Sequence, residues 1–351
     1  MTDLASAAPS SATPSSAAPS SAAPGEPRLE GMLNLQRKAA LAAGGAIDHA
    51  GRVRVAAMDD FDMSRTIFGQ LEGTLPRTLM RDKLAKDVFW SDAAIAEIEA
   101  AYAASEAERP TPAVDAGLIQ FMEDECDFSM EHADGTFLEH LTFCHDYAVK
   151  YFPEHSANVA LLHSILGTAT NTFAMDIEKL PALKERLTEF EALQVEVFPS
   201  MLRLFYDQAL LEELEANRHR LDELQALHCH RVIDNAPLVI DADNFWIQLN
   251  FHLMHFVDFM PAANWGARRS DPLLQQFRTL SDFLDRAGKR QAKVDVTFPA
   301  GPRAPVGETP SLVGRLSARL PGSLTLALAR KSIRKYSGLI GHSLDYRLEW
   351  R

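Results

Sequence analysis

Between residues 131 and 175 the chain carries five histidines, His132, His140, His145, His155 and His163, on what the apolar spacing predicts as two consecutive helices. A third apolar run, 244–259, adds His252, His255 and Asp258. Such side chains bind a metal when several converge, and one helix presents only two on a face, so a ligand set must come from different helices. The set on offer is His140 from the first helix, His163 from the second, and His255 with Asp258 from the third. His255 and Asp258 are three positions apart and share a helix face, as do His252 and His255. Asp258 is a candidate fourth ligand or general base, with an ion pair to an arginine such as Arg268 as its structural alternative. His132 precedes His140 by eight positions and is placed to reach across the pocket mouth and orient a substrate. His145, His155, His228 and His230 read as ordinary packed histidines.

The elements that would position these residues are helical. Residues 29–43 predict a short helix ended by Gly44 and Gly45, Pro76 opens a segment running through 84–90, and Ser91 with Asp92 caps a helix over 93–107. A helix over 114–127 has Leu118, Ile119 and Met122 on one side. Thr136 then stands three positions before Glu139, a capping-box spacing, ahead of a helix over 137–151 with Phe137, Leu141, Cys144 and Ala148 in register. The segment 156–167, holding His163, is apolar nearly all round, the mark of a buried helix. Helices over 180–190, 191–206 and 209–230, a loop at 235–243, and helices over 244–259 and 272–287 complete the reading. The expected fold is all-α: a helical core domain over 114–290, an N-terminal helical extension over 29–113, a Ser/Ala/Pro tail over 1–28 with no means of ordering itself, and a Pro/Gly linker with a basic segment over 291–351.

Composition limits the partners. A net charge of −13 at pH 7 lacks the basic surface that phosphate neutralisation requires, which argues against a nucleic-acid binder and for a small-molecule ligand. The three cysteines, Cys126, Cys144 and Cys229, form no CxxC pair, and no run reaches the roughly 20 apolar residues of a membrane span. With no secretory signal at its start, the chain is expected in the cytoplasm. The C-terminal segment changes sign, with eight Lys or Arg against Asp345 and Glu349 from position 315 onward. It predicts a basic amphipathic helix, docked onto the acidic domain or lying on an anionic membrane surface.

The run FLEHLTFCHDYAVKYFPEHSANVALLHSILGT resembles the HD-domain superfamily, whose helical core uses a histidine on one helix and a His-Asp pair on the next. It is closest to an uncharacterised family of HD-like domains with the pattern H-x-G-x-T, D/E-H-L and then H-S-I-x-G-T. Here the corresponding residues are His132, Gly135, Thr136, Glu139, His140 and Leu141, with the glycine one position later than in the pattern, then His163, Ser164, Ile165, Gly167 and Thr168, with His140 and His163 separated by 23 positions. The similarity covers roughly 119–259. Ser164 stands where the HD superfamily has the metal-bridging aspartate, and the family's late aspartate has two candidates here, Asp258 and Asp234.

Three readings follow. His140, His163, His255 and Asp258 hold a divalent transition metal (iron, manganese, zinc or cobalt) and the chain hydrolyses a phosphate ester or similar small-molecule bond. Alternatively, Ser164 marks a non-catalytic, degenerate HD-like domain that binds a ligand or a protein. The third is an iron-dependent oxygenase on the same scaffold.

Overall fold

A computed structural model describes residues 33, 35–43, 92–128, 131–132, 135–259, 270–294, 312–317 and 319–351. The Ser/Ala/Pro tract, the segment expected over 76–90, the Pro/Gly linker, Arg268 and the side chain of His132 lie outside the described residues. The fold is mostly helical with a minor sheet, as the apolar periodicity requires.

Helix α1 (Leu35–Ala43) packs along α2 (Asp92–Glu108), and α3 (Ala116–Glu125) starts at Asp115, whose carboxylate accepts from the Gly117 and Leu118 amides. Two two-residue strands, β1 (Glu131–His132) and β2 (Gly135–Thr136), pair antiparallel and deliver the chain into α4 (Phe137–Tyr151). Helix α4 is buried on more sides than its apolar stripe predicts, because His140, Thr142, His145, Asp146 and Lys150 go inside with it. Helix α5 (Asn158–Leu162) is shorter than expected. Beyond Leu162 the chain continues in tight turns, with the Ile165 amide bonded to the Leu162 carbonyl and the Gly167 amide to that of Ser164.

After α6 (Leu180–Lys184), α7 (Glu189–Asp207) opens on a capping box in which Thr188 and Glu191 satisfy each other's backbone amides. Helix α8 (Ala209–Ala216) then stops at Asn217, and here the expectation of one helix over 209–230 fails. Residues Arg218–Glu223 form a 3-10 turn and Leu224–His230 become strand β3. Leu227 and Cys229 alternate inward with half-buried neighbours, the period of a strand rather than a helix. The expected loop likewise contains β4 (Pro237–Asp241), and the C-terminus returns as β5 (Arg347–Trp350), so that β3 lies between two antiparallel neighbours in the order β4-β3-β5.

Helix α9 (Ala242–His255) is capped by Asp241 and runs into a 3-10 turn over Phe256–Phe259. Helix α10 (Pro272–Ala287) opens on Asp271 and Pro272 and closes at left-handed Gly288. Two further helices follow, α11 (Leu312–Ser317) and α12 (Gly322–Leu339). Helix α12 docks on α7 and α10, with Arg334 paired to Asp207 at 2.5 Å and Arg330 to Glu212 at 3.6 Å. Among the described residues no helix is long and apolar enough to cross a membrane.

The core falls into two packed groups. The larger joins α4, α7, α9 and α10 through Phe143, Phe198, Phe251 and Phe283, and the smaller joins α3, α4 and α5 through Met122, Leu141 and Leu162. Helix α4 belongs to both, which puts its middle at the seam.

Candidate metal centre

The seam is where the histidines meet. His140 projects from α4, His163 follows the last residue of α5, and His255 ends α9; one ligand nitrogen from each lies within 4.8 Å of the other two. Their relative exposures are 0%, 1% and 7%, so the site is buried. Phe198 packs its ring 4.7 Å from that of His163, and Phe259 lies 5.4 Å from His140 and 5.3 Å from His255.

Hydrogen bonds fix the tautomers of two rings. His140 Nδ1 donates to Asp258 Oδ2 at 2.7 Å, and His163 Nδ1 donates to the Ala160 carbonyl at 2.6 Å. With Nδ1 donating in both, the two Nε2 atoms face one another at 3.0 Å, a hydrogen bond when either carries a proton and a pair of lone pairs open to a cation when neither does. Two unprotonated Nε2 atoms so placed repel unless a cation is shared between them. Burial, and after it the neighbouring His140, hold the His163 pKa well below its ordinary 6.5, so a proton is disfavoured on that ring. With both rings neutral the arrangement fits a metal: Nε2 atoms converging, and Nδ1 anchored to a carboxylate or a carbonyl.

Asp258 occupies a different place from the one its spacing predicts. It shares a short 3-10 turn with the end of α9, but its Oδ2 accepts from His140 and its Oδ1 from Arg37 Nε at 2.7 Å, with Arg37 Nη2 3.2 Å from Oδ2. Both oxygens are committed behind the His140 ring, and Asp258 is outside the three-residue ligand set. Nor is it suited to act as a general base. Burial by itself raises its carboxyl, but the Arg37 guanidinium and the His140 bond outweigh that, and the net direction is down.

Arg37 is the residue that sequence reasoning missed. It is 1% exposed on α1, 221 positions from its partner. A lone arginine among the small and apolar residues of LQRKAALAA is the only local signal, and it names no partner.

The remaining histidines stay apart. His252 stacks on Phe198 at 3.9 Å and faces Phe205, and burial lowers its pKa to about 3. His145 bonds Asp146, His155 lies 3.3 Å from Gln291, His228 bonds Glu349 and His230 reaches the Asp345 carbonyl. Asp234, the other candidate aspartate, pairs with Arg231. The motif residues after His163 have local work. Gly167 sits at φ +131°, a conformation closed to other residues, where a Cβ would lie 2.9 Å from Phe173. Thr168 accepts the Thr170 and Thr172 amides on its hydroxyl while its carbonyl receives Arg203. Ser164 is buried beside them.

No family model, curated protein or solved structure matches this chain.

Proposed function

We propose that the three-histidine cluster is a divalent transition-metal centre and that the chain uses it to hydrolyse a phosphate ester or similar bond in a small molecule. The observation that carries this reading is the pair of opposed Nε2 atoms of His140 and His163, each ring anchored through Nδ1. The resemblance of HADGTFLEHL and HSILGT to HD-like motifs points the same way. His140, His163 and His255 would hold the ion. Bound there, a divalent ion supplies Lewis acidity and lowers the pKa of a coordinated water toward neutrality. Asp258 orients His140 and raises its basicity, and Arg37 keeps Asp258 ionised and in place. Phe198 and Phe259 pack their rings against the histidines, and the low-dielectric setting strengthens every charge interaction in the site. His132 is assigned substrate orientation from its motif position alone. The three free cysteines support the cytoplasm as the compartment.

The test is elemental analysis of protein purified without chelator, paired with thermal unfolding. Iron, zinc, manganese or cobalt at one ion per chain is expected. Added metal at about a thousandfold over its Kd should stabilise the native protein by about 4 kcal/mol. His163→Ala should abolish that increment. Metal-free protein whose stability is indifferent to added metal would sink the reading.

A second reading, a non-catalytic domain that retained the pocket, is favoured by Ser164 at the bridging position and by the near-complete enclosure of the histidines. It expects bound metal with no turnover of a panel of phosphomonoesters and phosphodiesters, whereas the hydrolase reading expects turnover lost in His163→Ala.

A further inference from the structure

Seven of the nine large apolar residues exposed among the described residues fall in one short stretch: Leu312, Val313, Leu316, Leu324, Leu328, Leu339 and Ile340. The same stretch is basic in a chain of net charge −13: residues 312–344 hold Arg315, Arg319, Arg330, Lys331, Arg334 and Lys335 and no acid. Helix α12 spends its two sides differently. Thr325, Ile333, Tyr336 and Ser337 are buried toward the core, and Arg330 and Arg334 are taken by Asp207. On the opposite side Leu324, Leu328, Lys331, Lys335 and Leu339 recur at intervals of four, three, four and four, a single helical stripe, and all five are exposed. Helix α11 repeats the composition with exposed Leu312, Leu316 and Arg315.

We infer that the stripe of α12, with α11, is a docking surface for an anionic lipid bilayer. Docking onto the protein's own acidic core accounts for the inner side alone, and exposed leucines there would serve no purpose. A soluble acidic partner would engage the lysines but leave the leucines unburied in a polar rim. A bilayer with anionic headgroups satisfies both: leucines enter the acyl boundary while Lys331 and Lys335 stay among the headgroups, their aliphatic stems lying along the same boundary. This surface does not involve the histidine cluster, so its fate is separate from that of the proposed metal centre.

The test is co-sedimentation of the full chain with phosphatidylcholine vesicles carrying phosphatidylglycerol, against pure phosphatidylcholine vesicles. Binding to the anionic vesicles alone is expected, weakening as salt rises. Lys331→Gln/Lys335→Gln and Leu324→Ser/Leu328→Ser should each lower the partition coefficient by at least about tenfold. Because these side chains are exposed, thermal unfolding should be unchanged in both variants and certify their fold. Equal binding to both vesicle types, no binding, or native binding by either variant overturns the inference. So does a native dimer in sedimentation velocity that the leucine variant dissolves, since a second copy would then be the occupant.

Discussion

The behaviour of His140 is set on the side of its ring that faces away from the other histidines. Asp258 holds Nδ1, and Arg37 holds Asp258, so a charge on α1 reaches the site through two buried hydrogen-bonded pairs. Asp258→Asn would take from the buried Arg37 guanidinium its carboxylate at 2.7 Å and leave it Glu139 at 3.8 Å, at a cost of up to about 3–5 kcal/mol, and would weaken metal binding about 10–100-fold. Urea unfolding and chelator competition measure the two effects. Arg37→Met/Asp258→Leu separates them: removing both charges should restore much of the stability, because a buried pair replaced by apolar groups is close to neutral, while the metal affinity stays low. Of these residues, His140, His163 and His255 were legible in sequence because a histidine in an apolar run announces itself. The role of Asp258 was not, since its spacing to His255 is equally compatible with a ligand and with a support, and only the position of Arg37 decides between them.

Among the elements, the helices with local signals came through closely. The segments over 137–151 and 272–287 were read to the residue, because Pro153 and the Asp271-Pro272 start punctuate apolar patterns of the right period. The segment over 209–230 was misread, because LQALHCH is too short to distinguish periods and its two strand partners lie elsewhere in the chain, one of them at the C-terminus. The turn after α5 shows what local chemistry can settle. Gly167 permits the left-handed reversal that brings Thr168 under Arg203, so the HSILGT run is as much a turn motif as a ligand motif. Gly167→Ala should cost about 1–3 kcal/mol from backbone strain, with the contact to Phe173 adding to it, and should be read as a fall in the urea midpoint without a change in slope.

At the scale of the whole molecule, a buried relay joins the β5 ladder in holding the C-terminus to the core. Arg203, fully buried on α7, donates to the Ser337 hydroxyl, Ser337 lies 3.4 Å from His342 Nδ1, and His342 Nε2 donates to the His230 carbonyl at 3.0 Å. Burial, joined by the Arg203 charge and opposed by the bond to the His230 carbonyl, lowers the His342 pKa from 6.5 to about 4. Between those values the unfolded chain takes up a proton that the folded chain refuses, so the folded state loses stability as pH falls from about 6.5 to about 4 and is unaffected by this group above that window. His252, lowered to about 3, acts in the same direction. Chemical denaturation across this range should show the midpoint falling with pH, with a shallower slope in His342→Gln. The sequence by itself determined the helical class, the histidines that cluster and the basic C-terminal segment, because apolar period, residue type and charge are properties of neighbouring residues. Only the tertiary structure decided which nitrogens face each other, that Asp258 answers to Arg37, and that the C-terminus returns to the sheet. The last two depend on contacts between residues more than a hundred positions apart, and His140 and His163, 23 positions apart, come face to face only through the packing of α4 against α5, which no local pattern encodes.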